Sequence, residues 1–306
     1  MATVARSVAV QHTLIRRLKT PRVAGYLLVL PAVIYVLALI GFPLVLGIWY
    51  SFTSITVAAP GRFVGLQNFI DVAKDPTFIL AVRNTLIIGS IATAAKITLS
   101  VALAFLMLGA FPGRGLLRVL FVLPWTIPIA LSTIAYKWMF HSQYSVVNWI
   151  LIQLGILSEG IQWLGSPIPA MFAVIFVSTW RAVPFGAITV LAGLTAIPSD
   201  VIEAARIDGA GWWARFTKVI VPIIAPILFI ALLFDLIFTL TELTVVFILT
   251  SGGPVDQTQV LANYALQVGV SGTQLGQGAA IALYLVPALL ILTVLSLRHI
   301  GKREGM

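Results

Sequence analysis

Asp235, Thr239 and Glu242 stand at i, i+4 and i+7 within a long apolar run, so on one helix they share a face. Lys96 and Arg181 interrupt two other apolar runs. A charge held at the centre of a bilayer costs about 2.5–3.5 kcal/mol on insertion scales, so each of these groups must meet a partner or line a water-filled path. Two readings stay open. Pairing across helices, for example Arg181 with Asp235, would make the charges structural. A polar face turned toward a path would instead offer hydrogen bonds to a passing solute.

A second polar group lies between Asp200 and Lys218, where the acids Asp200, Glu203 and Asp208 and the bases Arg206, Arg215 and Lys218 fall. Pro198-Ser199-Asp200 followed by Glu203 reads as a helix start, with Asp200 capping an amide three residues on and Glu203 reaching back. Gly209 is a natural stop, because glycine tolerates the left-handed backbone that ends helices. The expected product is a helix of about two and a half turns. Ile202, Ala205 and Ile207 supply apolar surface, and Glu203, Arg206 and Asp208 supply charge. Ala204, Ala205, Gly209 and Ala210 are small enough for another protein to approach the backbone closely. So short a helix is unstable alone in water and needs a dock. The alternative is an ordinary loop carrying a surface helix.

Other chemistries are excluded by what the chain lacks. It contains no Cys, which removes disulfides, thiolate metal sites and cysteine nucleophiles. It has no G-x-x-x-x-G-K-[ST] stretch, so the backbone cradle and lysine that hold ATP phosphates are missing. His12, His141 and His299 are far apart, and no Ser-His-Asp or paired-carboxylate arrangement is placed for catalysis. The sequence therefore predicts no catalytic residue, no metal ligand and no enzyme.

The elements that position these residues follow from hydropathy. The 306 residues are 60% hydrophobic and 9% charged, with mean hydropathy +1.05. Soluble domains carry about 25% charged residues, so this composition reads as an all-α polytopic membrane protein. Six spans are expected at 24–50, 80–108, 117–139, 169–194, 219–249 and 276–297. Residues 53–79, 140–168 and 255–275 would be outside segments; 63–69 has helical spacing for a short surface helix, and 255–275, with Asn263 and Tyr264, has a re-entrant character. Prolines 31, 43, 124, 128, 222 and 226 fall in or near spans, where they kink helices.

Charge supports this map. Six spans put both termini on one side, and that side collects thirteen of the nineteen basic residues: Arg6, Arg16, Arg17, Lys19 and Arg22, then Arg114 and Arg118, then Arg206, Arg215 and Lys218, then Arg298, Lys302 and Arg303. The positive-inside rule makes that side cytoplasmic. It also absorbs most of the net charge of +9, leaving no call for nucleic acid as a partner. The expected organisation is a basic cytoplasmic arm (1–22), a first transmembrane helix with its external loop (23–79), a core of five transmembrane helices (80–298) with the cytoplasmic loop 195–218, and a cytoplasmic tail (299–306).

Glu203-Ala204-Ala205, Asp208-Gly209-Ala210, Phe216, Ile220 and Pro222 together resemble the EAA loop of ATP-binding-cassette importer permeases, in its expected place between the fourth and fifth spans. Phe63-Val64-Gly65-Leu66-Gln67-Asn68-Phe69, Asn84-Thr85, Trp180 with Pro184-Phe185, and Leu249-Thr250-Ser251-Gly252-Gly253-Pro254 resemble the carbohydrate-uptake branch of that family, over residues 25–300. The resemblance implies a type I permease core formed by helices 2–6. It implies as partners a second homologous permease subunit, a dimer of cytoplasmic ATPase subunits, an external substrate-binding protein and the lipid bilayer of the cell membrane. ATP and Mg would be used by the ATPase, with no cofactor on this chain. Glu203, Ala204, Ala205, Arg206, Asp208, Gly209 and Ala210 would form the ATPase-coupling helix. The solute would be a sugar or oligosaccharide, with sugar alcohols and glycerol phosphate also found in the branch. For such a cargo Trp180, Arg181, Asp235, Thr239 and Glu242 are the candidate path residues, Trp180 as a ring on which a sugar stacks. An ion-driven secondary transporter using the same carboxylates is the competing reading, and it gives the EAA-like loop no task.

Overall fold

The structure, a computed structural model, describes residues 21–304. His12 and the basic residues Arg6, Arg16, Arg17 and Lys19 lie outside the described residues, as do the side chains of Arg22, His299, Lys302 and Arg303. Among the described residues the chain forms helices and turns, with one isolated antiparallel bridge between Thr53 and Phe63. The principal helices, in order, are α1 (Pro21–Val36), α2 (Phe42–Ser51), α3 (Gln67–Ala73), α4 (Pro76–Leu108), α5 (Arg114–Thr126), α6 (Ile129–Met139), α7 (Val146–Gln153), α8 (Pro167–Thr195), α9 (Ser199–Ile207), α10 (Val221–Leu240), α11 (Thr244–Leu249), α12 (Leu261–Leu266), α13 (Leu275–Leu283) and α14 (Val286–Glu304).

Five stretches are long and apolar enough to cross a membrane: Gly25–Ser51, Pro76–Leu108, Pro167–Thr195, Trp212–Leu240 and Leu275–Arg298. The expected third span is not one helix. It is α5 and α6, bent by 95° at a short break, and six spans result when this pair counts as one. Pro128 explains the break. It pushes Ile127 out of the helical region to φ −76°, ψ 132°, and α6 restarts beyond it.

The fifth span also ends earlier than hydropathy predicts, at Leu240 rather than 249. The Thr241 hydroxyl turns back onto the carbonyls of Ile237 and Phe238. Glu242 Oε1 then accepts from the amides of Thr244 (2.8 Å) and Val245 (3.4 Å), which starts α11 as a separate helix. Hydropathy cannot see this break, because the residues on both sides are equally apolar. The surface helix α3 begins at Gln67, later than the 63–69 spacing suggests, because Phe63 is held in the bridge to Thr53. The 140–168 segment contains a helix, α7, that its composition does not announce.

The bundle is built on α4 and α8, which pack against each other along most of their length. Asp75 caps α4 by accepting from Thr77 N (2.8 Å), and Pro76 occupies the first turn, where its missing N–H costs nothing. Thirty-three residues make α4 about 50 Å long, well beyond a hydrocarbon layer of about 30 Å, so it tilts or projects. Small side chains permit the close approach: Ala81, Ala92, Ala104, Ala170, Ala173 and Ala187 are fully buried. At Gly186 a β-carbon would lie 2.3 Å from Ser100 Oγ, and that hydroxyl donates to Val183 O (3.0 Å). The first span packs mainly on α13, through α2, and not on α4 or α8. No residue in its most apolar window is buried, and a widened turn at Leu37–Gly41 precedes Pro43.

Candidate functional site: a charged cavity and an exposed helix

α4, α8 and α10 enclose a cavity of about 690 Å³, with Trp125 of α5 and Glu242 on its wall. Pockets of about 300–1,000 Å³ take small organic ligands. The sequence-predicted charges meet here. Lys96 Nζ lies 3.2 Å from Asp235 Oδ1 and donates to Thr239 Oγ1 at 2.7 Å. The Thr239 hydroxyl spends its proton on Asp235 O (2.7 Å), so a lone pair is left to accept from Lys96. Lys96 is buried and Asp235 is largely so.

The pairing differs from the expected one. Lys96, not Arg181, neutralises Asp235, because Lys96 sits on the side of α4 that packs against α10. Arg181 lines the same cavity, and its buried Nε has no hydrogen-bond partner among the described residues. Asp235 and Thr239 share a face of α10 as their spacing predicts. Glu242 is off that helix, in the turn beyond it, yet it still reaches the cavity wall. Trp180 does not line the cavity. A step of one residue turns a helix by about 100°, and Trp180 points instead to Tyr136, edge-on at 5.0 Å.

Two aromatic residues that sequence reasoning missed take its place. Trp125 and Phe185 stack at 5.3 Å and 20°, and both line the cavity. Phe185 follows Pro184 in a stretch that the family resemblance already singled out. Trp125 sits between Pro124 and Pro128, and its contact with α8 depends on the bend between α5 and α6.

The second site is α9. Its end is as predicted: Gly209 has φ +78°, its amide donates to Arg206 O (3.0 Å), and Ala210 N donates to Ala205 O (3.0 Å). These two bonds make a Schellman stop. Its start is not. The helix begins at Ser199 with Pro198 in the capping position, and no side chain caps it. Asp200 is therefore the second helical residue and Glu203 the fifth, too far along to close a capping box. Asp200 keeps a favourable place near the positive end of the helix dipole.

No residue of α9 is buried. Glu203, Ala204, Arg206, Asp208 and Gly209 are exposed, Ala205 and Ala210 are half-buried, and Ile207 is 86% exposed. The start of the next helical stretch, Trp212–Arg215, holds the helix in place: Arg215 Nη1 donates to Ala210 O at 2.7 Å. Trp212 stacks on Phe216 (5.5 Å, 2°), and Phe216 meets Phe105 of α4 edge-on at 5.5 Å. The helix is thus carried between α8 and α10, two walls of the cavity, and is tied to the third, α4. Among the described residues no group of His, Cys, Asp or Glu is arranged to hold a metal ion.

This architecture, a helical membrane bundle with a solute-sized, mostly apolar cavity that holds a few charged side chains and an exposed short helix between two cavity walls, fits a permease. Residues 96–303 match the family described as binding-protein-dependent transport system inner membrane component, and the chain belongs to that family. It is 32% identical to the trehalose/maltose transport system permease protein MalF of Thermococcus litoralis, over 90% of this chain and 92% of that one. In fold it is similar to a crystal structure of a bacterial ABC transporter involved in the import of the acidic polysaccharide alginate. The TM-score is 0.80 at 21% identity, over 95% of this chain and 99% of that one. A bacterial alginate transporter in complex with an alginate pentasaccharide-bound periplasmic protein matches with TM-score 0.75 at 21% identity, over 89% and 92% of the two chains. The chain is a multi-pass permease of the ABC importer class.

Proposed function

We propose that the chain forms half of the translocation path of an ATP-driven importer for a sugar or oligosaccharide, and that α9 is where it receives mechanical work. One observation carries this reading: a short charged helix with no buried residue is strung between two walls of the cavity. A displacement of α9 moves the cytoplasmic ends of α8 and α10, and so moves Arg181 and Phe185 against Asp235 and Thr239. Stacked aromatics on α5 and α8, together with the polar cluster of α4 and α10, suit a hydroxyl-rich solute. Phe234 and Phe238 stand on the cavity's open flank, 58% and 70% exposed, where a second permease subunit would complete it.

In this account a pair of ATPase subunits grips α9 through Glu203, Ala204, Ala205, Arg206 and Asp208. Gly209 lets the chain turn sharply under the small Ala210. ATP and Mg bind to those subunits and not to this chain. An external binding protein delivers the sugar, as the periplasmic protein of the alginate system suggests by its presence in that complex. The test is purification of the chain from its native membrane, followed by uptake in vesicles. Co-purification of an ATPase subunit, and sugar uptake that needs internal ATP, are expected. Uptake that follows an imposed ion gradient without any ATPase would make the chain a secondary transporter and remove the coupling role from α9.

A further inference from the structure

Helix α7 is apolar on both faces. Its inner face is pinned to the bundle: Asn148 Oδ1 accepts from Ile161 N (3.1 Å) and Trp163 Nε1 (2.8 Å), and its amide donates to Ile161 O (2.9 Å). Ser145 caps the helix by accepting from Asn148 N (3.1 Å), and Val147 and Leu151 pack into the core around Phe140 and Trp163. The outer face holds Val146, Trp149, Ile150 and Gln153 at i, i+3, i+4 and i+7, all exposed. Leu154 and Ile156 extend it. Eight residues rise about 12 Å, far short of a bilayer's hydrocarbon thickness of about 30 Å, so α7 does not span. A helix that is apolar all round belongs inside protein or in lipid.

The preceding helix decides between these. On α6 the residues Leu131, Ile134 and Trp138 form one exposed stripe, opposite the buried Ser132, Thr133 and Phe140. In a membrane-spanning bundle that stripe faces lipid. It ends with Lys137 and Trp138 in the last turn, the two residue types that anchor a helix end at the headgroup level. The ring of Tyr144, 5.2 Å from Trp138 and 3.8 Å from His141, carries the surface on toward α7. The 140–168 segment has no Lys or Arg and only Glu159 as an acid, so it offers no charge complement to a soluble protein. The 29 residues of α8 separate this region from α9, which puts the two on opposite sides of the membrane.

We infer that the Val146, Trp149, Ile150 and Gln153 face of α7 lies in the lipid leaflet opposite α9, at the boundary of headgroups and acyl chains, and continues the lipid-facing stripe of α6. The partner of this surface is lipid. Trp149 and Ile150 sit in the acyl boundary and Gln153 nearer the headgroups, with the tryptophan at the depth that its amphipathic ring prefers. The helix then floats the connection between the bent third span and α8.

The chain contains no Cys, so single cysteines can be placed without further change. Ile134→Cys, Ile150→Cys and Gln153→Cys, each carrying a nitroxide in the complete transporter in lipid vesicles, are compared by electron paramagnetic resonance. Collision with dissolved oxygen reports lipid, and collision with a water-soluble nickel chelate reports water. Position 150 is expected to favour oxygen several-fold, as position 134 does, with 153 intermediate. Nickel-dominated collisions at 150 would overturn the inference in favour of a water-exposed surface. Low collision with both reagents would overturn it in favour of a protein partner covering the face.

Discussion

Removing the Asp235 carboxylate should destabilise the chain measurably. At 3.2 Å and an effective dielectric constant of about 20, the Lys96–Asp235 attraction is about 5 kcal/mol in gross Coulomb energy. Much of that offsets the desolvation of two groups that are only 9% and 21% exposed. The informative quantity is therefore the cost of leaving one partner alone, about 3–5 kcal/mol for a buried pair. Thr239 remains as an acceptor for Lys96, which places Asp235→Ala toward the lower end, about 3 kcal/mol. Lys96→Met, which strands the carboxylate, should cost a similar amount. Replacing both residues with apolar side chains should recover most of the loss, since apolar substitutes for a buried pair are often neutral. Detergent-driven unfolding of the purified chain, followed by tryptophan emission, gives all three values and their coupling. Additive effects, with the double variant as unstable as the sum of the singles, would refute the reasoning that these two charges hold α4 to α10.

Arg181→Gln should leave the chain no less stable, since among the described residues the buried Nε of Arg181 has no hydrogen-bond partner to lose, while changing uptake; the paired measurement of stability and transport checks this. Gly209→Ala should cost about 1 kcal/mol at φ +78°, where the space is open but the backbone conformation disfavours any β-carbon, and Gly209→Pro should remove the Schellman amide and destroy coupling. Gly186→Leu should destabilise the chain by several kcal/mol, because the added side chain meets Ser100 where even a β-carbon would stand 2.3 Å from its hydroxyl.

The fold class and the place of α9 were legible in the sequence for plain reasons. Bilayer thickness sets span length, and glycine after a short amphipathic run sets a stop. The bend at Pro128 and the break at Thr241 were not legible in hydropathy. Both arise where backbone groups leave the helical ladder inside apolar sequence, and only the local bonding of Thr241 and Glu242 reveals the second. At the cavity, spacing correctly placed Asp235 with Thr239, because residues four apart on one helix must share a face. It failed for partners on different helices: nothing in the sequence says that Lys96 rather than Arg181 faces Asp235. Trp180 lies off the cavity wall for a similar reason. A one-residue rotation about α8 takes it out of the cavity, and the stacked Trp125 comes from a helix whose approach depends on the bend.

The most direct test of α9 as the input for mechanical work is the ratio of sugar imported to ATP hydrolysed in vesicles holding the complete transporter with its binding protein. Glu203 is exposed and no hydrogen bond or ion pair within the described residues depends on it, so Glu203→Lys leaves the fold intact. The account predicts that the variant assembles and still hydrolyses ATP, but that sugar import falls at least tenfold per ATP. An unchanged ratio of import to hydrolysis in Glu203→Lys would contradict it.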